Sequence, residues 1–198
     1  MLDKTKVTEF FDRLAPTWDA ELVPKDRLIN EILDNAAVTG DLAVLDVACG
    51  TGVLFPYYLA RGLRSVTGVD ISPEMIKVAR EKYAGEDRIS LICGDVEEAV
   101  PGRLFDAVVV YNAFPHFADP ARLIAALSSL TKPGGRLTIA HSMSRAQVND
   151  HHKGSANQVS NGLMPAEELS RLFAPYYSVE LVISNDEMYQ VTGLRLPG

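Results

Sequence analysis

The chain has 198 residues, of which 47% are hydrophobic and 23% charged, values typical of a globular protein with one hydrophobic core. Its formal net charge of −7 argues against a nucleic acid partner, because such partners require clustered basic side chains and the lysines and arginines here are scattered. No apolar run approaches the roughly 20 residues that span a bilayer, so we expect no membrane partner either.

The first 40 residues predict two helices, with breaks at Pro16 and Pro24. The opening residues 1–14 interleave charged and apolar positions as an amphipathic helix does, and they lack the apolar core and cleavage site of a secretion signal. We therefore predict a cytoplasmic protein. We also predict a single domain over residues 1–198, with residues 1–40 forming a helical cap on it.

From residue 42 onward the pattern alternates between strand and helix. Short Val, Ile and Leu runs without polar alternation indicate strands that are covered on both faces, and therefore a mainly parallel sheet. Strands are predicted at 42–47, 66–70, 89–93, 105–111, 135–141, 178–184 and 188–195, and helices at 52–62, 73–84, 120–131 and 165–174. The polar residues 142–163, rich in Ser, Asn and His, predict a cover segment or loop.

The segment from Asp46 to Gly52, DVACGTG, begins at the end of the first predicted strand, where a parallel sheet binds ligands. Glycines let the backbone approach a ligand closely, and the following helix presents free N–H groups. A dinucleotide-binding loop would need a third glycine where Phe55 stands, and Asp46 would repel a pyrophosphate. The loop therefore favours a ligand with positive charge near Asp46, although a plain strand-to-helix turn remains an alternative.

Two further acids follow the next two predicted strands. Asp70 ends the second strand, where a carboxylate can accept both hydroxyls of a ribose, a position that NAD-binding folds share. Asp95 ends the third strand, within reach of an exocyclic amine such as that of adenine. Each acid alone also fits a solvated turn or a helix cap. Three acids at three consecutive strand ends favour a shared nucleoside ligand.

Several segments together resemble the class I S-adenosylmethionine-dependent methyltransferases in order and approximate spacing. They are VLDVACGTG, GVDIS, CGDVEE, FDAVVVYNAFPHF and LTKPGGRLTIAH, and FFDRLAPTWDAE further resembles the ubiquinone/menaquinone-type small-molecule subgroup. The resemblance implies an α/β, Rossmann-like fold with a seven-stranded, mainly parallel sheet, an antiparallel last strand and helices on both faces. Ala48 stands where many members have a glycine.

The resemblance also implies a cofactor and its contacts. S-adenosyl-L-methionine would be the cofactor, S-adenosyl-L-homocysteine the product, and a small molecule the methyl acceptor. The methionine portion would lie at the glycine loop with its ammonium near Asp46, the ribose at Asp70, and the adenine beside Ile71, Met75 and Asp95. The implied cofactor-binding residues are Asp46, Ala48, Gly50, Thr51, Gly52, Asp70, Ile71, Met75, Gly94, Asp95, Val96, Asn112 and Phe114.

Methyl transfer depends mainly on positioning, and a general base assists it when the acceptor carries a proton. His116 follows the fourth predicted strand and His141 ends the fifth, so both are candidate catalytic bases near the acceptor entrance. The candidate acceptor-binding residues are Trp18, Tyr111, Phe117, His151 and His152. Structural histidines are an alternative, as is a metal site with Asp150. We predict no metal, because two adjacent histidines in a loop do not fix one coordination geometry.

We therefore expect a methyltransferase that acts on a small molecule as a monomer or homodimer. NAFP departs from the Asn-Pro-Pro-aromatic motif of methylases that modify nucleic acid bases. Two alternatives stay open. An NAD-dependent oxidoreductase is disfavoured by Phe55, whereas a non-catalytic S-adenosylmethionine-binding sensor remains compatible, because methyl transfer requires no diagnostic catalytic residue.

Overall fold

Residues 2–154 and 156–197 are described by the computed structural model, and they fold around one seven-stranded sheet. The strands are β1 (Ala43–Val47), β2 (Ser65–Asp70), β3 (Ile89–Cys93), β4 (Phe105–Tyr111), β5 (Thr131–His141), β6 (Tyr177–Ser184) and β7 (Tyr189–Arg195). The helices are α1 (Lys4–Glu21), α2 (Asp26–Asn35), α3 (Phe55–Ala60), α4 (Pro73–Lys82), α5 (Val96–Ala99), α6 (Pro120–Leu130), α7 (Arg145–His151) and α8 (Ala166–Phe173), with 3₁₀ turns at Phe114–His116 and Asn157–Val159.

The strand order is β3-β2-β1-β4-β5-β7-β6. Strands β1 to β5 pair in parallel, and β7 pairs antiparallel with both β5 and β6. The predicted mainly parallel sheet with an antiparallel last strand is thereby confirmed. The strand order reverses between β1 and β4, so a ligand crevice is expected beyond the carboxyl ends of these two strands.

Alternate residues of β1 enter two separate cores, as the absence of polar alternation predicts. Leu45 and Val47 pack in one core with Leu123 of α6, whereas Val44 packs in the other with Ile29 of α2. Helices therefore cover both faces of the sheet, as predicted.

The predicted helix break at Pro16 is wrong, because α1 continues through this proline to Glu21. The rings of Phe11 and Trp18 lie 6.0 Å apart and join the turns before and after it. Packing of this kind offsets the lost amide donor of a proline inside a helix. The break at Pro24 is confirmed, since it separates α1 from α2.

Two element boundaries differ from the sequence-based ones by three or more residues. Helix α3 begins at Phe55 and not at residue 52, because the glycine loop occupies the intervening turn. Strand β5 begins at Thr131 and not at residue 135, since the sheet continues across an irregularity opposite β4. The predicted cover segment 142–163 contains α7, which Ser144 and Gln147 start with a reciprocal capping box. Residue 155 of that segment, and residues 1 and 198 of the predicted domain, lie outside the described residues.

Candidate active site

The loop after β1 presents its backbone to the crevice. Gly50 and Gly52 have φ of +55° and +85°, and Ala48 has φ of +54°, all in the left-handed region that favours glycine. A Cβ on Gly50 would meet no atom within 4 Å, so the adjacent space is open. A Cβ on Gly52 would lie 2.6 Å from the Phe55 ring, so packing requires this second glycine. Of these two glycines, Gly50 is therefore the one that leaves space for a ligand beside the backbone.

Asp46, near the end of β1, is a buried carboxylate that is 2% exposed. Its Oδ2 has no hydrogen-bond partner among the described residues, and the same holds for the buried hydroxyl of Tyr58 close by. Burial, and secondarily the charge of Asp70, raise the pKa of Asp46 well above its ordinary value. A cationic group placed here would compensate the carboxylate for its lost hydration.

Asp70, at the end of β2, is held by two main-chain donors. Its Oδ2 accepts from the Gly50 amide at 2.8 Å, and its Oδ1 accepts from the Ser72 amide at 2.8 Å. Burial raises the pKa of Asp70, and these two hydrogen bonds offset part of that rise. Ile71 beside it is half-buried, and Met75 in the first turn of α4 is buried. A carboxylate with unused lone pairs therefore adjoins an apolar surface.

Gly94, Asp95 and Val96 follow β3. The Asp95 side chain accepts from the Glu97 amide at 3.1 Å, so it caps α5, and it also forms an ion pair with Lys4 of α1. Val96 is buried. Asp95 thus has a structural role as a cap, which the sequence left as an alternative to cofactor binding.

Helix α1 makes polar contacts next to the ends of β1 and β2. Asp19 accepts from Thr51 Oγ1 at 2.6 Å and forms an ion pair with Lys82 at 2.8 Å. Asp12 accepts from Ser72 Oγ at 2.5 Å. Sequence reasoning missed Asp12 and Asp19, because acids on an amphipathic helix look the same whether they face solvent or a partner. The N-terminal helix is therefore docked beside the glycine loop.

The end of β4 is tied to the end of β5 through Ser142. The Tyr111 hydroxyl donates to Ser142 Oγ at 2.7 Å, and the Asn112 side chain accepts from the Ser142 amide at 3.0 Å. Phe114 is buried, and Phe117 is partly buried against the same core. The polar groups of Tyr111 and Asn112 thus already have protein partners.

His116 lies in a cluster of rings with Phe11, Trp18 and His152. Its ring centroid is 5.0 Å from that of Phe11 and 5.0 Å from that of His152. His116 Nδ1 is 2.7 Å from the carbonyl oxygen of Val159. Because a carbonyl only accepts, Nδ1 carries the hydrogen, and Nε2 of the neutral ring is left with a free lone pair. Burial lowers the pKa of His116.

The other three histidines differ in exposure. His141 is 1% exposed, and burial together with the nearby His116 and His152 lowers its pKa to about 3. Burial lowers the pKa of the half-buried His152 to about 4. His151 is exposed, with its ring 6.0 Å from that of His152. The structure therefore gathers three of the four histidines and leaves His151 at the surface.

Two possible interactions find no support in the part of the chain that the structure describes. Residues 2–154 and 156–197 contain no group of three or more His, Cys, Asp or Glu side chains placed to hold a metal ion. Within the same residues, no helix combines the length and the apolar character needed to cross a membrane.

Comparisons with known proteins agree with this geometry. A family model described as a methyltransferase domain matches residues 45–139. Malonyl-[acyl-carrier protein] O-methyltransferase of Priestia megaterium is 30% identical over 141 residues, which cover 69% of this chain and 51% of that protein. Ubiquinone biosynthesis O-methyltransferase of Pseudomonas paraeruginosa is 33% identical over 141 residues, covering 66% and 60%. The N-methyltransferase NodS of Bradyrhizobium japonicum, solved with S-adenosyl-L-homocysteine, superposes with a TM-score of 0.75 at 16% identity, covering 98% and 99%.

The likeness to NodS concerns the fold, and the sequence matches concern the family. The strand order and the superposition on NodS show a Rossmann-like fold with an acid-lined crevice. More specifically, the chain belongs to the class I S-adenosylmethionine-dependent methyltransferases, which confirms the resemblance inferred from its motifs. The chain spans about half of the first of these curated relatives and three fifths of the second, 51% and 60% of their lengths.

Proposed function

We propose that this protein transfers the methyl group of S-adenosyl-L-methionine to a small-molecule acceptor. The observation that carries the proposal is the unpaired, buried carboxylate of Asp46 beside the open approach to Gly50. This pair offers negative charge and space at the same place, which suits a cationic ligand. A pyrophosphate would meet electrostatic repulsion there.

The residues at the ends of β1, β2 and β3 can contact successive parts of the cofactor, in the order that the sequence motifs imply. In this assignment Asp46 faces the ammonium, Asp70 accepts from the ribose hydroxyls, and Met75 packs on the adenine. When bound, the cofactor supplies a methyl group on a positively charged sulfur. The remaining proposed contacts come from Ala48, Gly50, Thr51, Gly52, Ile71, Gly94, Asp95, Val96, Asn112 and Phe114.

We assign the general base to His116. Its Nε2 has no hydrogen-bond partner among the described residues, and the Val159 carbonyl holds the ring in the tautomer that can accept a proton there. His141 is less suited to this role, because a pKa of about 3 makes it a weak base at neutral pH. Lowering of the His116 pKa also keeps its ring neutral near pH 7.

We propose that the acceptor is an uncharged small molecule that is methylated on oxygen. Both curated relatives are O-methyltransferases by name. The rings of Phe11 and His152 pack against His116, and Trp18 packs against Phe11. The net charge of −7 disfavours a nucleic acid acceptor. We continue to predict a cytoplasmic location and a monomeric or homodimeric state.

The test combines binding with transfer. Calorimetry with S-adenosyl-L-homocysteine and with NAD should show uptake of the first only, and tight NAD binding without the first would refute the proposal. Methyl-labelled cofactor should then label at least one member of a panel of phenols, aliphatic alcohols, thiols and amines. Binding of S-adenosyl-L-homocysteine without transfer to any member would favour the sensor alternative.

A further inference from the structure

His141 and Tyr189 form a buried pair between β5 and β7. His141 is the last residue of β5 and Tyr189 is the first of β7, and the two residues are partners in the antiparallel register. Their exposures are 1% and 0%, and their ring centroids lie 6.1 Å apart in an edge-to-face arrangement. Neither His141 Nε2 nor the Tyr189 hydroxyl has a hydrogen-bond partner among the described residues.

Two unpaired polar atoms at one place in a core require an explanation, because buried polar groups are nearly always hydrogen-bonded. Other buried polar side chains of β5, β6 and β7 do have partners. The Tyr177 hydroxyl, equally buried, lies 2.9 Å from Thr131 Oγ1, and the Gln190 side-chain amide donates to the Ile32 carbonyl at 3.0 Å. The pair therefore stands out from its surroundings.

The pair adjoins residues of the histidine cluster and residues of a cavity wall, although neither His141 nor Tyr189 itself lines that cavity. The charges that act on His141 are those of His116 and His152, and those that act on Tyr189 are Arg145, Glu167 and Glu168. A cavity of about 490 Å³ has Arg145, His152 and Glu168 in its wall. Around the Tyr189 hydroxyl itself, one guanidinium against two carboxylates gives no excess positive charge for an anion. A neutral polar group therefore suits this environment.

We propose that His141 and Tyr189 bind a hydroxyl group of the methyl acceptor, separate from the atom that receives the methyl group. This inference rests on the proposed function. A hydroxyl both accepts and donates, so it can accept from the Tyr189 O–H and donate to His141 Nε2. The pair then determines acceptor specificity, because an analogue without this hydroxyl leaves both buried atoms unpaired.

The first test compares unfolding of the free protein with Tyr189→Phe and Tyr177→Phe. Tyr177→Phe removes a hydroxyl with a partner and should raise the urea unfolding equilibrium constant about fivefold. Tyr189→Phe should leave this constant unchanged or lower it, because the hydroxyl has no partner to lose. A fivefold rise with Tyr189→Phe as well would assign the hydroxyl a permanent structural partner, such as a bound water, and would overturn the proposal.

The second test uses ¹⁵N-histidine-labelled protein, with and without S-adenosyl-L-homocysteine. Catechol and 1,3-propanediol should shift the His141 Nε2 resonance at least threefold more than phenol and 1-propanol at equal concentration, and Tyr189→Phe should remove the difference. Equal shifts from both members of each pair would refute the proposal. Failure of S-adenosyl-L-homocysteine to bind would refute the proposed function instead, while the unfolding comparison still decides the role of the pair.

Discussion

Substitution of Asp46 by Asn tests the electrostatic basis of the candidate site. Burial raises the pKa of this carboxyl, so the folded protein binds its proton more tightly than the unfolded chain does. Wild-type stability should therefore fall as the pH rises from the ordinary value of about 3.9 through the raised pKa. Asp46→Asn has no charge to bury, so its advantage in stability over the wild type should grow with pH.

The expected magnitudes follow from the missing partner of Oδ2. Asn keeps an unpaired polar atom there but no charge, and a buried unpaired group costs about 1–3 kcal/mol with more for a charged one, so urea unfolding at pH 8 should show Asp46→Asn more stable by at least about 1 kcal/mol. The affinity for S-adenosyl-L-homocysteine, by contrast, should decrease in this variant. Hydrogen bonds to charged groups contribute about 1.5–3 kcal/mol, so calorimetry should show S-adenosyl-L-homocysteine binding weakened by roughly 10- to 150-fold.

Asp106→Asn is the matched control at the opposite end of the sheet. Burial alone would raise the pKa of Asp106, but hydrogen bonds from Lys132 and the Ala43 amide, with the charge of Arg64, lower it. This variant should lose stability at neutral pH and bind S-adenosyl-L-homocysteine as the wild type does. The reasoning is wrong if Asp46→Asn binds S-adenosyl-L-homocysteine at wild-type affinity, or if it is destabilised like the control.

Three further variants test local features of the structure. Ala48→Gly should stabilise the protein by about 1 kcal/mol in urea unfolding, because φ of +54° strains a residue with a Cβ; a loss of stability would contradict this strain. If His116 is the base, kcat/KM of the wild type should fall as the pH drops through a pKa below 6.5. His116→Gln should remove this decrease at low pH while keeping the affinity for the cofactor. An unchanged pH profile in the variant would exclude His116 as the base. The pKa of His141 is lowered to about 3, so the unfolded chain binds a proton at this residue between pH 6.5 and pH 3 while the folded protein does not. Over this range the stability of the wild type should fall by up to about 5 kcal/mol more than that of His141→Phe. Parallel pH profiles of the two proteins would refute the burial of His141 as the cause.

Much of the sheet was predictable because most of its strands are short, largely apolar runs. The predicted strand at 105–111 matches β4, and the proline after Ser72 marks the start of α4 correctly. Helix α1 was harder to predict, because local preference breaks a helix at Pro16, whereas Asp12 before it and Asp19 after it are held by hydrogen bonds to other parts of the fold. Tertiary contacts of this kind have no signature in a single sequence.

The residues of the candidate site also differ in how readily a single sequence reveals them. Asp46 and Asp70 could be singled out because an acid directly after a buried apolar run is conspicuous. Asp19 looks like any acid on a solvated helix face. The carbonyl of Val159, which sets the tautomer of His116, has no side-chain signature at all. Tyr189 looks like an ordinary apolar strand residue until its hydroxyl is found buried without a partner.

The docking of α1 has a consequence for cofactor affinity. Its side chains engage Thr51, Ser72 and Asp95, which belong to or adjoin the proposed cofactor contacts. When one of these polar groups binds a ligand, it exchanges a hydrogen bond to α1 for a hydrogen bond to the ligand. Only the difference in free energy between these two hydrogen bonds then contributes to affinity. Asp46 Oδ2 has no partner among the described residues to give up, so its interaction with a cation is offset only by the cost of ionising a carboxyl whose pKa is raised. The unpaired carboxylate is therefore worth more to binding than the acids already engaged by the helix.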